Sequence, residues 1–436
     1  MLAAGSLGAL DMQGAITEKT YDQLNGLTLT YNNAPMYGKT VKFTPSADLK
    51  TATVALSSSF DLSEIPGIPE DLKQTVAGPG VLPGSPLIIL NVELKDHGND
   101  TYTFEGNAFT EYLTFSYSAK LTPNTFDMAI TDPELENKTL VGLWNTTPYA
   151  LSEDGTEILS TPAHIVWTSD KSLAVMEGFE LPMETLLQLV VSLPMIDDGT
   201  LSVLQVLPEA FKSVEFADDG NLMATLVDEG QTVTSPRNLA QYVVSGDDQF
   251  RLFLDPAAIK VADTAKVRAL ENDPTFGIDI NNILGNVIAQ VAPMMSEGVP
   301  MGYAKADNNL TVYIGEDVLL PLLQNNVVPL LSNAELVQAL ADMMAQSGDE
   351  TMASFAPMIP GIAASLVEVI NGTTNIEIGL NFTAAPNAVE GIESDMTAER
   401  HEVARYDMQG RKVTKDTTGL VIVRYSDGSA AKLMVR

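Results

Sequence analysis

The chain has 436 residues, 45% of them apolar, enough for a large core and for roughly two to four domains. Its net charge of −33 argues against a nucleic-acid partner and against docking on an anionic leaflet, since both need clustered Lys and Arg. The absence of cysteine excludes disulfides, thiolate nucleophiles and thiolate metal sites.

Residues 1–25 read as an N-terminal leader segment. Met1 to Leu10 is small and apolar, lacks a basic n-region and fits the remnant of a signal peptide. A short helix is expected around Ile16 to Leu24. From Leu27 the signal turns to strands rich in Thr, Val and aromatics: 27–31, 40–43, 52–56, 86–94, 102–106, 113–119 and 126–130. The long connection from Phe60 to Pro86 is dense in Pro and Gly. Seven short strands with regular turns predict an antiparallel β sandwich or barrel over residues 26–138.

Residues 139–383 mix helices with hairpins. Leu143 to Asn145 and Ala163 to Trp167 read as strands and hold both tryptophans. Apolar stripes predict helices at 186–193 and 203–211. Hairpins follow at Val214 to Leu226 and Tyr242 to Leu254. Ile280, Ile283, Leu284, Val287, Ile288 and Val291 then mark an amphipathic helix. The hairpin Tyr303 to Ile314 repeats the pattern of Tyr242 to Leu254: Tyr, a polar turn, then an apolar strand. Ser332 to Glu335 forms a capping box before a helix through Met344, a further helix runs from Met358 to Ile370, and Ile376 to Phe382 alternates as a strand. No apolar run reaches about 18 residues before Pro, Gly or a charge, so a transmembrane span is not expected. Residues 384–399 form a linker, and residues 400–436 a small β meander.

The residues that carry chemistry are sparse. There is no Gly-x-Ser-x-Gly elbow, and His97, His164 and His401 lie far apart, so neither a nucleophile nor a histidine metal site is expected. His164, beside Trp167 in a strand, reads as packed. Glu153-Asp154-Gly155, Asp197-Asp198-Gly199 and Asp218-Asp219-Gly220 fit no EF-hand; Asp-Gly is the usual chemistry of tight turns, leaving only loose surface Ca²⁺ binding. No cofactor is expected. Trp144, Tyr149 and Trp167 offer a sugar-stacking platform, although two tryptophans in strands are more often core, and any carboxylate pair can be nominated among 57 acids. Met294, Met295, Met343, Met344 and Met358 offer an adaptable apolar pocket for an acyl chain or similar ligand, against the ordinary role of methionine as gap-filler.

The end of the chain is electrostatically distinct. Residues 400–436 hold 8 of the 24 basic residues and four acidic ones, so they carry about +4 and the remainder about −37. The run Tyr406-Asp407-Met408-Gln409-Gly410-Arg411-Lys412-Val413, then Gly419-Leu420-Val421-Ile422, then Lys432 to Arg436, resembles the C-terminal sorting tail of Bacteroidetes proteins exported by the type IX secretion system. Val421 stands where that pattern often has an aromatic. The resemblance implies that Tyr406, Asp407, Gly410, Arg411, Gly419, Lys432 and Arg436 address the chain to the secretion machinery. It also implies export to the cell surface, the outer membrane or the extracellular space. Pro208 to Leu226, Ser235 to Tyr242, Ile376 to Leu380 and the loop Gly78 to Gly84 are similar to a Bacteroidetes cell-envelope family, a domain of unknown function. That likeness transfers no functional residue.

The expectation is therefore an α+β protein: an N-terminal β sandwich or barrel, a mixed helix-and-hairpin domain and a terminal meander. Its expected role is that of an exported, non-catalytic envelope protein binding a ligand or partner, lipid or glycan. The alternatives are a carrier of an apolar ligand in the Met-rich region and a carbohydrate-binding or carbohydrate-active protein.

Overall fold

A computed structural model describes residues 16–64, 73–154, 157–176, 178–197, 199–228, 230–255, 257–258, 294–346, 350–385, 402–407, 412–415, 417, 419–425 and 430–435. The chain is α+β and strand-rich, and it divides into two compact units, one up to Thr383 and one from Ala384 onward. The helix expected over 280–291 lies outside the described residues.

Two sheets make the N-terminal body. One orders Lys19–Tyr21, Lys39–Pro45, Thr51–Asp61 and Thr75–Ala77, with Leu87–Glu93 also paired to Thr51–Asp61. The other orders Ala34–Pro35, Leu27–Tyr31, Phe126–Leu135, Leu113–Leu121, Tyr102–Phe109 and Lys95–Asp96. Alternation is clean: Leu113–Leu121 buries every second residue. The inward residues interlock, with Phe126 against Tyr21, Phe43 and Phe104 at ring centroid distances of 5.3, 6.1 and 6.0 Å.

Three expectations are corrected here. Residues 19–21 are a strand, not part of a helix, because Tyr21 is buried against Phe126; the β body therefore starts ahead of residue 26. The body is not wholly antiparallel: Leu27–Tyr31 runs parallel to Phe126–Leu135, Leu27 facing Phe126. Parallel pairing needs a long crossover, which the intervening strands of the other sheet supply. The body is also not a separate compact unit, since polar contacts such as that of Asn32 with Asp219 join it to the rest of the chain up to Thr383.

Beyond it lies a ten-stranded sheet. Its path runs Gln231–Thr234, Leu222–Asp228, Phe211–Phe216, Gly142–Thr146, Thr373–Ala384, Asn309–Ile314, Val299–Ala306, Gln249–Leu254 and Ala240–Val244, with Ala163–Ser169 also on Thr373–Ala384. One end of this path, Ala240–Val244, meets the strand next to the other end. Asn221 bridges Gln241, and the Tyr242 N–H donates to the Gly220 carbonyl at 2.8 Å. Ala240–Val244 thus returns to Leu222–Asp228, and the sheet curls into a barrel. The hairpin arm Gln231–Thr234 and the strand Ala163–Ser169 stay outside the ring. Round the ring, the strands follow chain order.

Tight curvature needs backbone without side chains at the bend. Gly302 and Gly379 flank Tyr313 in the ladder. A Cβ on Gly379 would sit 2.0 Å from the Val312 carbonyl oxygen, and one on Gly302 would sit 2.3 Å from the Tyr313 ring. The Tyr313 ring thus covers the glycine gap on the outer face.

Helices cluster around Trp167, Ile370 and Ile376: Met183 and Leu187 from Met183–Ser192, and Leu319, Leu323, Val327 and Leu331 from the region 316–331. That region begins at Glu316–Leu322 and is not evident from periodicity, because Pro321 and Pro329 break the pattern. Asn333, not Ser332, caps Ala334–Ala345, accepting from Glu335 and Leu336 N–H at 3.1 and 3.2 Å. Ala353–Asn371 is long and apolar enough to cross a bilayer, contrary to the sequence expectation. Pro357 and Pro360 look like breaks in the sequence, yet each sits in the first turn of its segment, where Pro is tolerated. Its Ala363, Val369 and Ile370 are buried in the protein.

The second unit is a three-stranded antiparallel meander, Glu402–Asp407, Gly419–Tyr425 and Ala430–Val435, with Val423 fully buried.

Candidate ligand-binding site

Closing a sheet sends alternate side chains inward. Here the inward set comes from six strands: Phe211, Val214 and Phe216; Leu222; Phe250 and Leu252; Met301; Val312 and Ile314; Ile378, Leu380 and Phe382. They enclose a cavity of about 320 Å³ with almost no polar surface. Phe216, Tyr242 and Phe250 stack edge-on at 4.9 and 5.7 Å, and with Tyr303 they plug one part of the lumen. Phe211 packs on Phe382 at 6.0 Å. Leu252, Val312, Ile314 and Leu380 are only half-buried, and Ile378 is 36% exposed, so the cavity opens at that end. The N-terminal body carries a hollow of about 480 Å³ of its own, lined by Thr28, Thr30, Phe104, Ala119 and Met128 together with polar and charged neighbours such as Glu105, Lys120 and Asp127.

A second hollow of about 310 Å³ lies at the other face of the same strands, lined by Asp248, Glu316, Asp317, Glu377 and the Tyr313 ring. His164 Nε2 meets Glu377 Oε2 at 2.8 Å, and its ring lies 5.3 Å from that of Tyr313. Burial raises the Tyr313 hydroxyl above its ordinary pKa, and Glu377, Asp248 and Glu316 push the same way. Among the described residues no three acidic or histidine side chains are grouped to hold a metal ion.

The barrel is held against the N-terminal body by buried polar ties. Asp219, 1% exposed, accepts from Asn32 Nδ2 at 2.7 Å, Arg237 Nη1 at 3.0 Å and the Asn221 N–H at 3.0 Å. The Tyr31 hydroxyl donates to the Asp219 carbonyl, and burial, then the Asp219 charge, holds that hydroxyl well above its ordinary pKa. Asn238 Nδ2 donates to the Ala34 and Pro35 carbonyls, both at 3.2 Å.

The sequence-predicted sites fare differently. The sugar platform is not formed. Trp144 is 4% exposed with its indole N–H on the Leu140 carbonyl at 2.9 Å. Trp167 is 9% exposed, donates to Thr373 Oγ1 at 2.8 Å and belongs to the helical cluster; Tyr149 is half-buried. Buried indoles with satisfied N–H groups offer no face to a sugar. The methionine pocket is not formed either. Met343 and Met344 lie half-buried on Ala334–Ala345, and Met358 lines a shallow hollow with Val175, Met176 and Ile362. Met294 and Met295 sit on the short helix Met294–Glu297, which packs on Gln249–Leu254. These methionines fill gaps in separate places. The apolar cavity exists, but strands line it, and of the methionines only Met301 is part of the described lining. Of the tail residues, Tyr406, Asp407, Gly419 and Lys432 fall on the meander strands, whereas Gly410, Arg411 and Arg436 lie outside the described residues.

Sequence reasoning missed the lumen residues. Phe211 was read as the end of a helix and begins a strand instead, and nothing local signals that the strands close a ring.

No family model matches the chain. The heat-inducible transcription repressor HrcA of Nocardioides sp. (strain ATCC BAA-499 / JS614) is 30% identical over 151 residues, 34% of this chain and 43% of the repressor. The chain thus spans less than half the length of that relative. No solved structure matches.

Proposed function

We propose that this is an exported, non-catalytic binding protein that carries an apolar small molecule in the lumen of its barrel. One observation carries the binding reading: the curled antiparallel sheet keeps a cavity of about 320 Å³ lined almost wholly by apolar side chains, whereas the hollow on the neighbouring body is lined in part by Glu105, Lys120 and Asp127. An eight-stranded ring is wide enough either to be filled by its own side chains or to hold one small ligand. Apolar cavities stay dry and take up apolar guests. The test is saturable one-to-one binding of an uncharged apolar fluorophore, with bound species identified by native mass spectrometry. Absence of binding by folded protein would dismiss the reading.

The export reading rests on a different observation. The motif-bearing end forms a compact unit of its own, separate from the acidic body. This supports an address module of the type IX kind. Fusing residues 384–436 to a periplasmic reporter in a Bacteroidetes host tests it: surface display that needs the secretion system is expected, and periplasmic retention of the intact fusion would refute it. The likeness to a transcription repressor is partial, and a net charge of about −37 on the body disfavours DNA binding, so repressor activity is not carried over.

A further inference from the structure

We propose that the lumen, on the reading above that it holds a ligand, selects an uncharged apolar molecule and rejects carboxylates and other anions. The described lining offers no charged side chain and almost no polar surface; Tyr313, its one residue with a side-chain donor, packs its ring against Gly302 and beside His164. An ion drawn in would lose its hydration without a partner, a cost of several kcal/mol or more.

The surroundings add to this. Glu316 and Asp317 follow Ile314 in the chain and Glu377 precedes Ile378; these carboxylates line the hollow on the other face of the same strands and make the surroundings acidic. Nearby cations among the described residues are engaged elsewhere. Arg251 Nη1 donates to the Glu297 carbonyl at 3.1 Å, Lys212 pairs with Glu209 at 2.6 Å, and Lys305 donates to the Thr139 carbonyl at 2.6 Å. The net charge of −33 deepens the same negative field. Each feature disfavours the anionic headgroup of a fatty acid, and none disfavours an alcohol, a hydrocarbon or a small terpene-like molecule. The volume is about ten waters' share of the liquid, the scale of one small apolar molecule.

The experiment uses the full chain and the uncharged probe N-phenyl-1-naphthylamine, displaced at pH 8 by 1-decanol, decanoate or decylammonium. The expected result is displacement by decanol, at least about tenfold weaker displacement by decanoate, and decylammonium no tighter than decanol. Decanoate equal to or tighter than decanol overturns the inference and leaves the carrier reading standing, as does decylammonium about tenfold tighter. Failure of probe and decanol alike to bind folded protein overturns the carrier reading and the inference with it. Val312→Trp, which fills the lumen, is expected to abolish probe binding while circular dichroism stays native. If that variant does not fold, Ile314→Trp at the open end replaces it. Unchanged probe binding in a folded filled variant places the probe elsewhere and refutes the inference.

Discussion

Lys39 of the N-terminal body and Asp255, just past a barrel strand, form an ion pair at 2.9 Å from which water is excluded, with Lys39 only 2% exposed. The ammonium also donates to the Pro79 carbonyl at 2.8 Å. Burial pulls the Lys39 pKa below the usual lysine value even though Asp255 opposes that shift. Removing one partner strands the other charge. Asp255→Ala is expected to lower stability by about 3–5 kcal/mol, and Lys39→Met with Asp255→Leu to recover most of it. Urea unfolding of the three proteins checks this, and a double variant as unstable as the single one would refute it.

The two β bodies should respond oppositely to added volume. Val312→Phe extends into the lumen and is expected to change stability by less than about 1 kcal/mol. Val54→Phe enters the packed N-terminal core, where Val54 is fully buried, and is expected to cost about 1–3 kcal/mol. Calorimetric midpoints of the two variants decide it.

Alkaline pH should unfold the protein. Burial raises the hydroxyl pKa of Tyr31, Tyr242, Tyr303 and Tyr313 above the ordinary value of 10.0. Above that value the unfolded chain releases these protons while the folded one retains them. The stability they contribute is complete below pH 10 and is lost as pH rises through the folded values. Tyrosinate absorbance is expected to appear together with loss of circular dichroism; ionisation of all tyrosines near pH 10 in folded protein would contradict this.

Gly379→Ala places a methyl group 2.0 Å from the Val312 carbonyl, a backbone atom that cannot swing aside. The strand must shift, at a cost expected near 3 kcal/mol. The same substitution at Gly361, which has no neighbour within 4 Å of its added Cβ, is expected to be neutral or stabilising. Paired thermal melts distinguish the two.

Much of the strand layout was legible because it is local. Leu113–Leu121 alternates, and Tyr242 to Leu254 and Tyr303 to Ile314 carry matching turns and do form neighbouring hairpins of one sheet. What was not legible is long-range. Trp144 and Trp167 read as strand residues, but which face would be covered depends on elements far along the chain. Asp219 looked like an ordinary Asp-Gly turn and is buried because Asn32 and Arg237 arrive from elsewhere. The region 316–331 was hidden by two prolines: Pro321 lies inside Glu316–Leu322, and Pro329 sits in the first turn of Val328–Leu331. The lumen depends on closure, and closure depends on Gly142–Thr146 lying beside Thr373–Ala384.

That last adjacency governs the order in which the molecule can assemble. Hairpins such as Phe211–Phe216 with Leu222–Asp228 and Val299–Ala306 with Asn309–Ile314 can form as the nascent chain lengthens, since their two strands are close in sequence. The first strand, Gly142–Thr146, must wait with one edge bare until Thr373–Ala384 has been made. Through most of synthesis the ring is an incomplete, sticky ribbon, and the body becomes a finished object only a few residues before the terminal unit begins.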